Sequence, residues 1–307
     1  MLQIFALILA VYLIARGIIW LVQRYHDARG CGSSFKNLLR EGKLDASVYA
    51  DAVWSEVERF GKRRLRSKIA KRQRKLIRKV KNELRASYLN ACTPSLYQYI
   101  IIFLISSVLG LLLETVYTLV VFGVLESRVG LAWGPFSPLY GCGAVLLTAL
   151  LWEARDWPAW KIFCISAAIG GVLEQFTGWS MEHLAHAQSW TYLGLPDHIS
   201  QWVAWRFLAM WGLVGLVWCR AILPELLYRI GEPTTARQAA VVTFLAAFIA
   251  LDASMTVACF LRAGARANGI PPANPIDVYL DTRYGDSFMK DKFENMRIGQ
   301  DLPPASR

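Results

Sequence analysis

Long apolar runs separated by short polar stretches are the main pattern along this chain. One run spans residues 2–22, and five more fall at about 98–122, 138–152, 160–179, 201–219 and 239–261. Most of them match the ~20 residues that an α-helix needs to cross a hydrocarbon core of ~30 Å. The predicted fold class is therefore all-α, a polytopic integral membrane protein with about six membrane segments.

The run at 138–152 is shorter than the others, at about fifteen residues. It follows Gly134-Pro135-Phe136-Ser137-Pro138, in which glycine and two prolines favour a turn. Irregular backbone is tolerated at membrane depth only where protein or a cavity surrounds it. The pattern indicates a segment that is tilted or crosses only half of the bilayer.

A strongly basic segment precedes the second apolar run. Between Arg59 and Arg85 the chain holds 14 Lys or Arg and one acid, Glu83. Apolar residues such as Leu76 and Val80 recur at helical spacing, which predicts a long basic amphipathic cytoplasmic helix. Each basic residue near an anionic leaflet contributes roughly 1 kcal/mol, so anionic lipid head groups are its predicted partner. We do not expect nucleic acid, because residues 61–85 contain no aromatic ring to stack on bases.

The placement of Lys and Arg also predicts an orientation. The whole chain carries a formal charge of +11, and outside the basic segment it is close to neutral. The loop at 153–160 holds Arg155, with Lys161 just after it, and the loop at 220–238 holds Arg220, Arg229 and Arg237. The loops at 123–137 and 180–200 hold only one Lys or Arg between them, Arg128. Basic loops stay cytoplasmic. The protein is thus predicted to be multi-pass in the cell membrane, with both termini outside on the condition that the 138–152 segment crosses fully.

Four parts follow from these patterns. They are an N-terminal membrane anchor at 1–23, a cytoplasmic basic helical region at 24–97, a multi-pass membrane domain at 98–261 and a polar C-terminal tail at 262–307. The tail nearly balances its charges and contains Gly, Pro and Asn, so we expect it to be partly ordered and soluble.

Composition excludes several classes of protein. A hydrophobic content of 55% and a mean hydropathy of +0.32 do not fit an ordinary soluble domain. The six cysteines form no CxxC pair. The sequence has neither GxxxxGK[ST] nor GxSxG, so this chain carries no Walker ATPase site, and whether it is an enzyme stays open. No cofactor is expected.

Between Phe103 and Trp218, three charged residues lie well inside apolar runs: Glu114, Glu174 and Arg206. A charge at the centre of a membrane helix costs roughly 2.5–3.5 kcal/mol on the insertion scale, so such residues mark a polar site between helices. Counted at ~1.5 Å per residue, all three fall near the outer face. They are predicted to bind substrate or gate its path. The alternative is a structural clamp in which Arg206 pairs with Glu114 or Glu174. Asp252 lies nearer the middle of the last run and is a further candidate for this interior.

Polar and aromatic residues near the same level extend the predicted site. The candidates are Glu182, Trp190, Tyr192 and Tyr140. The aromatic residues have an alternative interpretation as an interfacial belt. His183 and His186, three residues apart, are weak candidates for metal ligands because no third ligand is evident, and we expect no metal.

Several motifs resemble those of the putative ABC-transporter type IV (CmpB) membrane family. The matching residues, over about 105–220, are Leu109-Gly110-x-x-x-Glu114, Gly134-Pro135-x-x-Pro138-x-Tyr140-Gly141-x-Gly143, Leu173-Glu174-x-x-Thr177-Gly178-Trp179-x-x-Glu182 and Trp211-Gly212-x-x-Gly215. The family usually has Trp-Asp-Tyr where this chain has Trp190-Thr191-Tyr192, which puts a ligand role there in doubt.

The resemblance implies a bacterial multi-pass membrane protein of the permease type. The first functional hypothesis is a permease-like subunit that handles a small polar or amphiphilic solute, with energy from a separate ATPase on the inner face. A homo-oligomer is a further partner prediction. Two alternatives stay open: a non-catalytic membrane scaffold that works through its basic helix, and an envelope-lipid enzyme that uses Glu174, Glu182 and the two histidines.

Overall fold

The computed structural model describes residues 85–125, 129–233 and 235–298. The predicted anchor at 2–22 and all of the basic segment before Arg85 lie outside these residues. The chain divides into two compact units, 1–93 and 94–307. In the described part of the first unit, residues 85–91 are helical.

The described part of the second unit is built from helices and one small sheet. The helices are α1 (Leu96–Phe122), α2 (Pro138–Leu151), α3 (Ala159–Ala185), α4 (Trp205–Val217), α5 (Leu223–Ile230), α6 (Ala236–Ala267), α7 (Pro275–Arg283) and α8 (Asp286–Lys292). A π-helical turn, Trp218–Ile222, joins α4 to α5 without a break. Strand β1 (Ala187–Gln188) pairs antiparallel with β2 (Arg297–Ile298).

Four helical segments among the described residues are long and apolar enough to cross a membrane. They are α1, α3, the continuous α4–α5 helix and α6, with 26 to 32 residues each. At ~1.5 Å per residue each exceeds a ~30 Å hydrocarbon core. The prediction of a helical fold with several helices long and apolar enough to cross a membrane is confirmed. The count of six segments stays a prediction, because the 2–22 run is not described.

Several helices extend beyond their predicted ends. Helix α3 continues past residue 179 to Ala185 and ends where His186 adopts a left-handed conformation, with φ of 49°. The α4–α5 helix reaches Ile230, so the predicted loop at 220–238 shrinks to residues 231–235. The sequence prediction ended these helices where polar residues begin. Helical backbone bonds do not stop there, since neither Gly nor Pro follows immediately.

Contacts between distant parts of the sequence define the two ends of the bundle. At the Trp157 end, the Arg220 guanidinium donates to the Trp157 carbonyl (2.7 Å), and the Ser95 hydroxyl donates to Glu232 (3.3 Å). At the Gln188 end, β1 pairs with β2. Helices α1, α3 and α6 therefore begin at the Trp157 end, whereas the α4–α5 helix begins at the Gln188 end and runs in the opposite direction.

Helix α2 begins near the middle of α1. The amide of Ser137, its N-cap, donates to the carbonyl of Ser107 (3.3 Å), which is the twelfth of the 27 residues in α1. Further on, the Trp218 indole donates to Thr148 near the other end of α2 (3.1 Å). With 14 residues, α2 is about 21 Å long. It spans the half of the bundle nearer the Trp157 end, as the short apolar run predicted.

Two residues of α6 hold the irregular chain before α2. The amides of Trp133 and Gly134 donate to the two carboxylate oxygens of Asp252, both at 2.9 Å. The amide of Ala132 donates to the Thr256 hydroxyl, also at 2.9 Å. Asp252 is fully buried. Its carboxylate therefore supplies the partners that non-helical backbone requires in an apolar setting, which gives Asp252 a structural role.

The C-terminal segment packs against the Gln188 end of α6. Buried side chains from α6, the two loops at this end and the C-terminal segment form one apolar cluster: Ala132, Ala187, Cys259, Phe260, Ala263, Leu280, Met289 and Phe293. Asp281 of α7 accepts hydrogen bonds from Arg262 (2.7 and 2.8 Å) and Arg266 (2.7 Å). Residues 275–298 thus contain helices and a strand, where the sequence predicted a partly ordered tail.

The ion pairs of Asp281 give a testable account of how this segment is held. Hydrogen bonds from Arg262 and then Arg266 keep the pKa of Asp281 below its ordinary value of 3.8. A lowered pKa contributes stability above pH 3.8 that is lost as the pH falls through the folded value. Asp281→Asn removes the charge at neutral pH, so trypsin should cut the variant several-fold faster at Arg283 and Lys290. Asp291→Asn, an equal charge change at an exposed residue, should match the wild type. Equal cleavage of all three proteins would contradict this account.

Candidate functional site

Glu174 is the most deeply buried of the charged residues predicted to bind substrate or gate its path. It lies on α3 with only 5% of its surface exposed. The Trp211 indole, on α4, donates a hydrogen bond to Oε1 (3.1 Å). Oε2 is also buried and accepts no direct hydrogen bond from a described residue. Burying a carboxylate oxygen without a partner costs free energy, so this atom calls for a functional explanation.

Three further residues surround Glu174. The Tyr140 phenol, in the first turn of α2, hydrogen-bonds Glu114 of α1, and its ring stacks on that of Trp211 (6.4 Å between centroids). Tyr192 comes from the loop after β1 and interacts electrostatically with both glutamates. We call these residues the glutamate–aromatic cluster: Glu114, Tyr140, Glu174, Tyr192 and Trp211. The cluster joins three helices and a loop at the start of the half-length helix α2.

Tyr192 closes the cluster from the loop side. Its ring stacks on Phe207 of α4, with 4.5 Å between centroids and 13° between planes. Burial and the neighbouring carboxylates of Glu174 and Glu114 raise the pKa of Tyr192. Its hydroxyl therefore remains protonated and serves as a donor beside the carboxylates.

Close helix packing lets the cluster form. A Cβ on Gly170 would overlap the Trp211 ring, and one on Gly110 would overlap the Tyr140 ring. Each glycine therefore leaves the space in which an aromatic ring of the cluster packs against a neighbouring helix. Small residues at membrane helix contacts commonly have this role.

Arg206 does not pair with a glutamate of the cluster. Its guanidinium contacts Asp197 through Nε (2.8 Å) and Nη2 (2.6 Å), and its amide donates to the same carboxylate (3.0 Å). These bonds, the side-chain ones first, hold the pKa of Asp197 below its ordinary value. The alternative of a clamp to Glu114 or Glu174 is replaced by a pair that fixes the loop to the start of α4. Sequence reasoning missed Asp197 because it considered only charges inside apolar runs.

Two other predicted site residues also organise this loop. Glu182, on the last part of α3 rather than in a loop, accepts from Gln201 (2.6 Å) and Gln188 (3.2 Å). The Trp190 indole donates to the Trp202 carbonyl (3.2 Å). Each contact joins two segments that are separate in sequence. Glu182 and Trp190 therefore shape the wall of the site.

The two histidines have separate surroundings. His183 stacks on Trp179 (5.2 Å between centroids), and its Nδ1 lies 3.0 Å from the Trp179 carbonyl. His186 follows the end of α3 and packs against Gly264 of α6. The described residues contain no group of three or more His, Cys, Asp or Glu side chains placed to hold a metal ion.

An open apolar groove of about 460 Å³ runs along a different part of α3. Val172, Phe176 and Trp179 line one side of it, and Ile199 and Val203 line the other. Most of these side chains are well exposed, which is usual where a membrane helix faces lipid. Glu174 does not line this groove. The groove is therefore separate from the glutamate–aromatic cluster.

Trp211 is the cluster member that the candidate list lacked. It is 7% exposed, donates to Glu174 and stacks on Tyr140. The family-like motif Trp211-Gly212-x-x-Gly215 contained it, but its spacing was interpreted only as helix packing. A buried indole needs a partner for its N–H, and this requirement was the signal that could have linked Trp211 to a buried acid.

The residues of this site lie within a segment that is similar to a known protein family. The family model described as putative ABC-transporter type IV matches residues 101–257. The match covers just over half of the 307 residues and every member of the glutamate–aromatic cluster. It extends beyond the resemblance seen at 105–220 and takes in Asp252. Neither a curated protein nor a solved structure matches the chain significantly.

Proposed function

The chain belongs to the putative ABC-transporter type IV family, and we propose that it is the multi-pass permease subunit of an ABC-type transporter in the cell membrane. It would handle a small polar or amphiphilic solute at the glutamate–aromatic cluster. The observation that carries this proposal is the buried Glu174 carboxylate at the level where α2 begins, because one of its oxygens has no hydrogen-bond partner. Transporters commonly place their solute sites where a discontinuous helix starts inside the membrane.

The charge distribution supports an orientation. Arg155, Lys161 and Arg220 lie around the Trp157 end, which we assign to the cytoplasm by the positive-inside rule. The glutamate–aromatic cluster then lies toward the outer face. The basic segment at 59–85 would lie along anionic lipid on the inner face. A homo-oligomer would form through surfaces that this orientation leaves free.

ATP hydrolysis would come from a separate subunit. The 307 residues contain no GxxxxGK[ST] motif. Exposed Arg229 and Arg237 lie on either side of the short 231–235 connection at the proposed cytoplasmic end. They offer a basic docking surface for an ATPase. Movement at that surface would reach the cluster through the α4–α5 helix, which carries Trp211 farther along.

Affinity purification tests this function. The tagged full-length protein, purified in a gentle detergent, should bring a nucleotide-binding ATPase in near-stoichiometric amount, identified by mass spectrometry. The double variant Arg229→Glu/Arg237→Glu should lose the ATPase, because both changes reverse charge at the docking surface. Arg283→Glu, at the opposite end, is the matched control and should keep it. Purification of the wild-type protein without any ATPase would refute the permease assignment.

A further inference from the structure

We infer that the glutamate–aromatic cluster binds the positively charged group of an organic cation, such as a quaternary or protonated amine. This inference rests on the proposed function, because it names the class of solute for the same site. It depends on the charge of the cluster, on the kind of groups that line it and on the helix end beside it.

The charge around Glu174 is unbalanced. Among the described residues no Lys or Arg forms an ion pair with Glu174, and the groups that donate to it, the Trp211 indole and the Tyr192 hydroxyl, are neutral. The nearest candidate cation in the sequence pattern, Arg206, is bonded to Asp197 instead. A positive group would stabilise a buried carboxylate oxygen that has no hydrogen-bond partner.

The lining favours an organic cation over a metal ion. Ca²⁺ takes six to eight oxygen ligands and Mg²⁺ about six. The described residues offer no such set, and no group of three potential metal-binding side chains. Instead, three aromatic rings accompany the carboxylates: those of Tyr140, Tyr192 and Trp211. Ring faces attract weakly hydrated cations.

The start of α2 supports the charged form of the carboxylates. Tyr140 lies in the first turn of α2 and hydrogen-bonds Glu114. A helix N-terminus carries about half a positive charge, which favours a negative side chain beside it. Glu114, Tyr140 and Tyr192 are each half-buried, so the cluster can be approached from their side. A cation entering there would meet the carboxyl groups of Glu114 and Glu174.

Saturation-transfer difference NMR tests the inference on the purified full-length protein. The detergent should be a maltoside, which has no choline head group. The probes are choline chloride and its uncharged isostere 3,3-dimethyl-1-butanol, present together so that their methyl signals are compared in one tube. Saturation should pass to the choline methyl protons and not to those of the alcohol. Glu174→Gln should reduce the choline signal by about tenfold or more.

Matched variants make the result decisive. Glu225→Gln, which changes a glutamate paired with Arg229 at the other end of the bundle, should leave the choline signal unchanged. Glu114→Gln is a second cluster variant, and it decides the result if Glu174→Gln fails to elute as folded protein in gel filtration. Equal transfer to choline and the alcohol, no transfer to choline, or an unchanged signal in the folded cluster variants would each overturn the inference.

The NMR measurement needs no ATPase, so the two proposals can fail separately. If an ATPase copurifies and choline does not bind, the permease assignment stands and the cation class is wrong. If choline binds through Glu174 and no ATPase copurifies, the cation site stands and the permease assignment is wrong. Occupation of the cluster by a proton in place of choline would also overturn the inference.

Discussion

Replacement of Asp252 by alanine is expected to lower the free energy of unfolding by about 2–6 kcal/mol. The change leaves the amides of Trp133 and Gly134 without the carboxylate that accepts both of their hydrogen bonds. Each buried donor left without a partner costs about 1–3 kcal/mol. Water cannot easily replace the carboxylate, because Asp252 is fully buried near the middle of α6.

Thermal unfolding in detergent, followed by circular dichroism, would measure the effect. Ser254→Ala is the matched control on the same helix, because the Ser254 hydroxyl bonds only the carbonyl of Ala250 in its own helix (2.8 Å). That variant should stay within ~0.5 kcal/mol of the wild type. If both variants melted together with the wild type, Asp252 could not be what holds the chain before α2.

Alanine at Gly170 should also destabilise the protein strongly, by about 1–3 kcal/mol or more. A Cβ there overlaps Cβ and Cγ of Trp211, at the root of the side chain where rotation gives little relief. Helices α3 and α4 would have to separate, and the indole would move away from Glu174. The higher helix propensity of alanine offsets only about 1 kcal/mol of this cost.

Gly194→Ala provides the same chemical change in open space. No atom lies within 4 Å of the Cβ that the substitution would add. Its midpoint in detergent melting should therefore match that of the wild type, whereas the midpoint of Gly170→Ala should fall. A Gly170→Ala protein that melts normally and keeps choline binding would show that the α3–α4 contact is not tight.

The helical membrane architecture could be predicted because its signal is local. Apolar runs of about twenty residues identify helices α1, α3, α4 and α6 whatever their neighbours are. The shortness of α2 was also visible in the run of about fifteen residues, but the sequence left open whether that segment was tilted or crossed only half of the bilayer. Helix ends were less predictable, because hydrogen bonding in α3 continues to Ala185 after its apolar pattern has ended.

The partners of charged residues could not be predicted from the sequence. The sequence analysis considered two partners for Arg206, Glu114 and Glu174, and only the fold of the 186–204 loop brings Asp197 to it. In the same way, nothing local links Asp252 to the amides of residues 133 and 134, more than a hundred positions earlier. Glu114, Glu174, Tyr140 and Tyr192 do come together, which the search for charges inside apolar runs had favoured. Which charged residues pair depends on tertiary geometry, whereas whether a residue lies in the protein interior depends mainly on the hydropathy of its segment.

The π-helical turn at Trp218–Ile222 sets the rotational phase of the long helix that contains it. Buried positions in this helix include Trp211, Gly215, Cys219, Leu223 and Leu227, each four residues after the last. In an uninterrupted α-helix every four-residue step advances the side chain by about 40°, or about 160° over this series. The wider π-helical turn reduces this rotation, so the buried positions at both ends of the series face the bundle. Loss of one residue there would therefore act as a twist of Leu227 relative to Trp211 more than as a shortening.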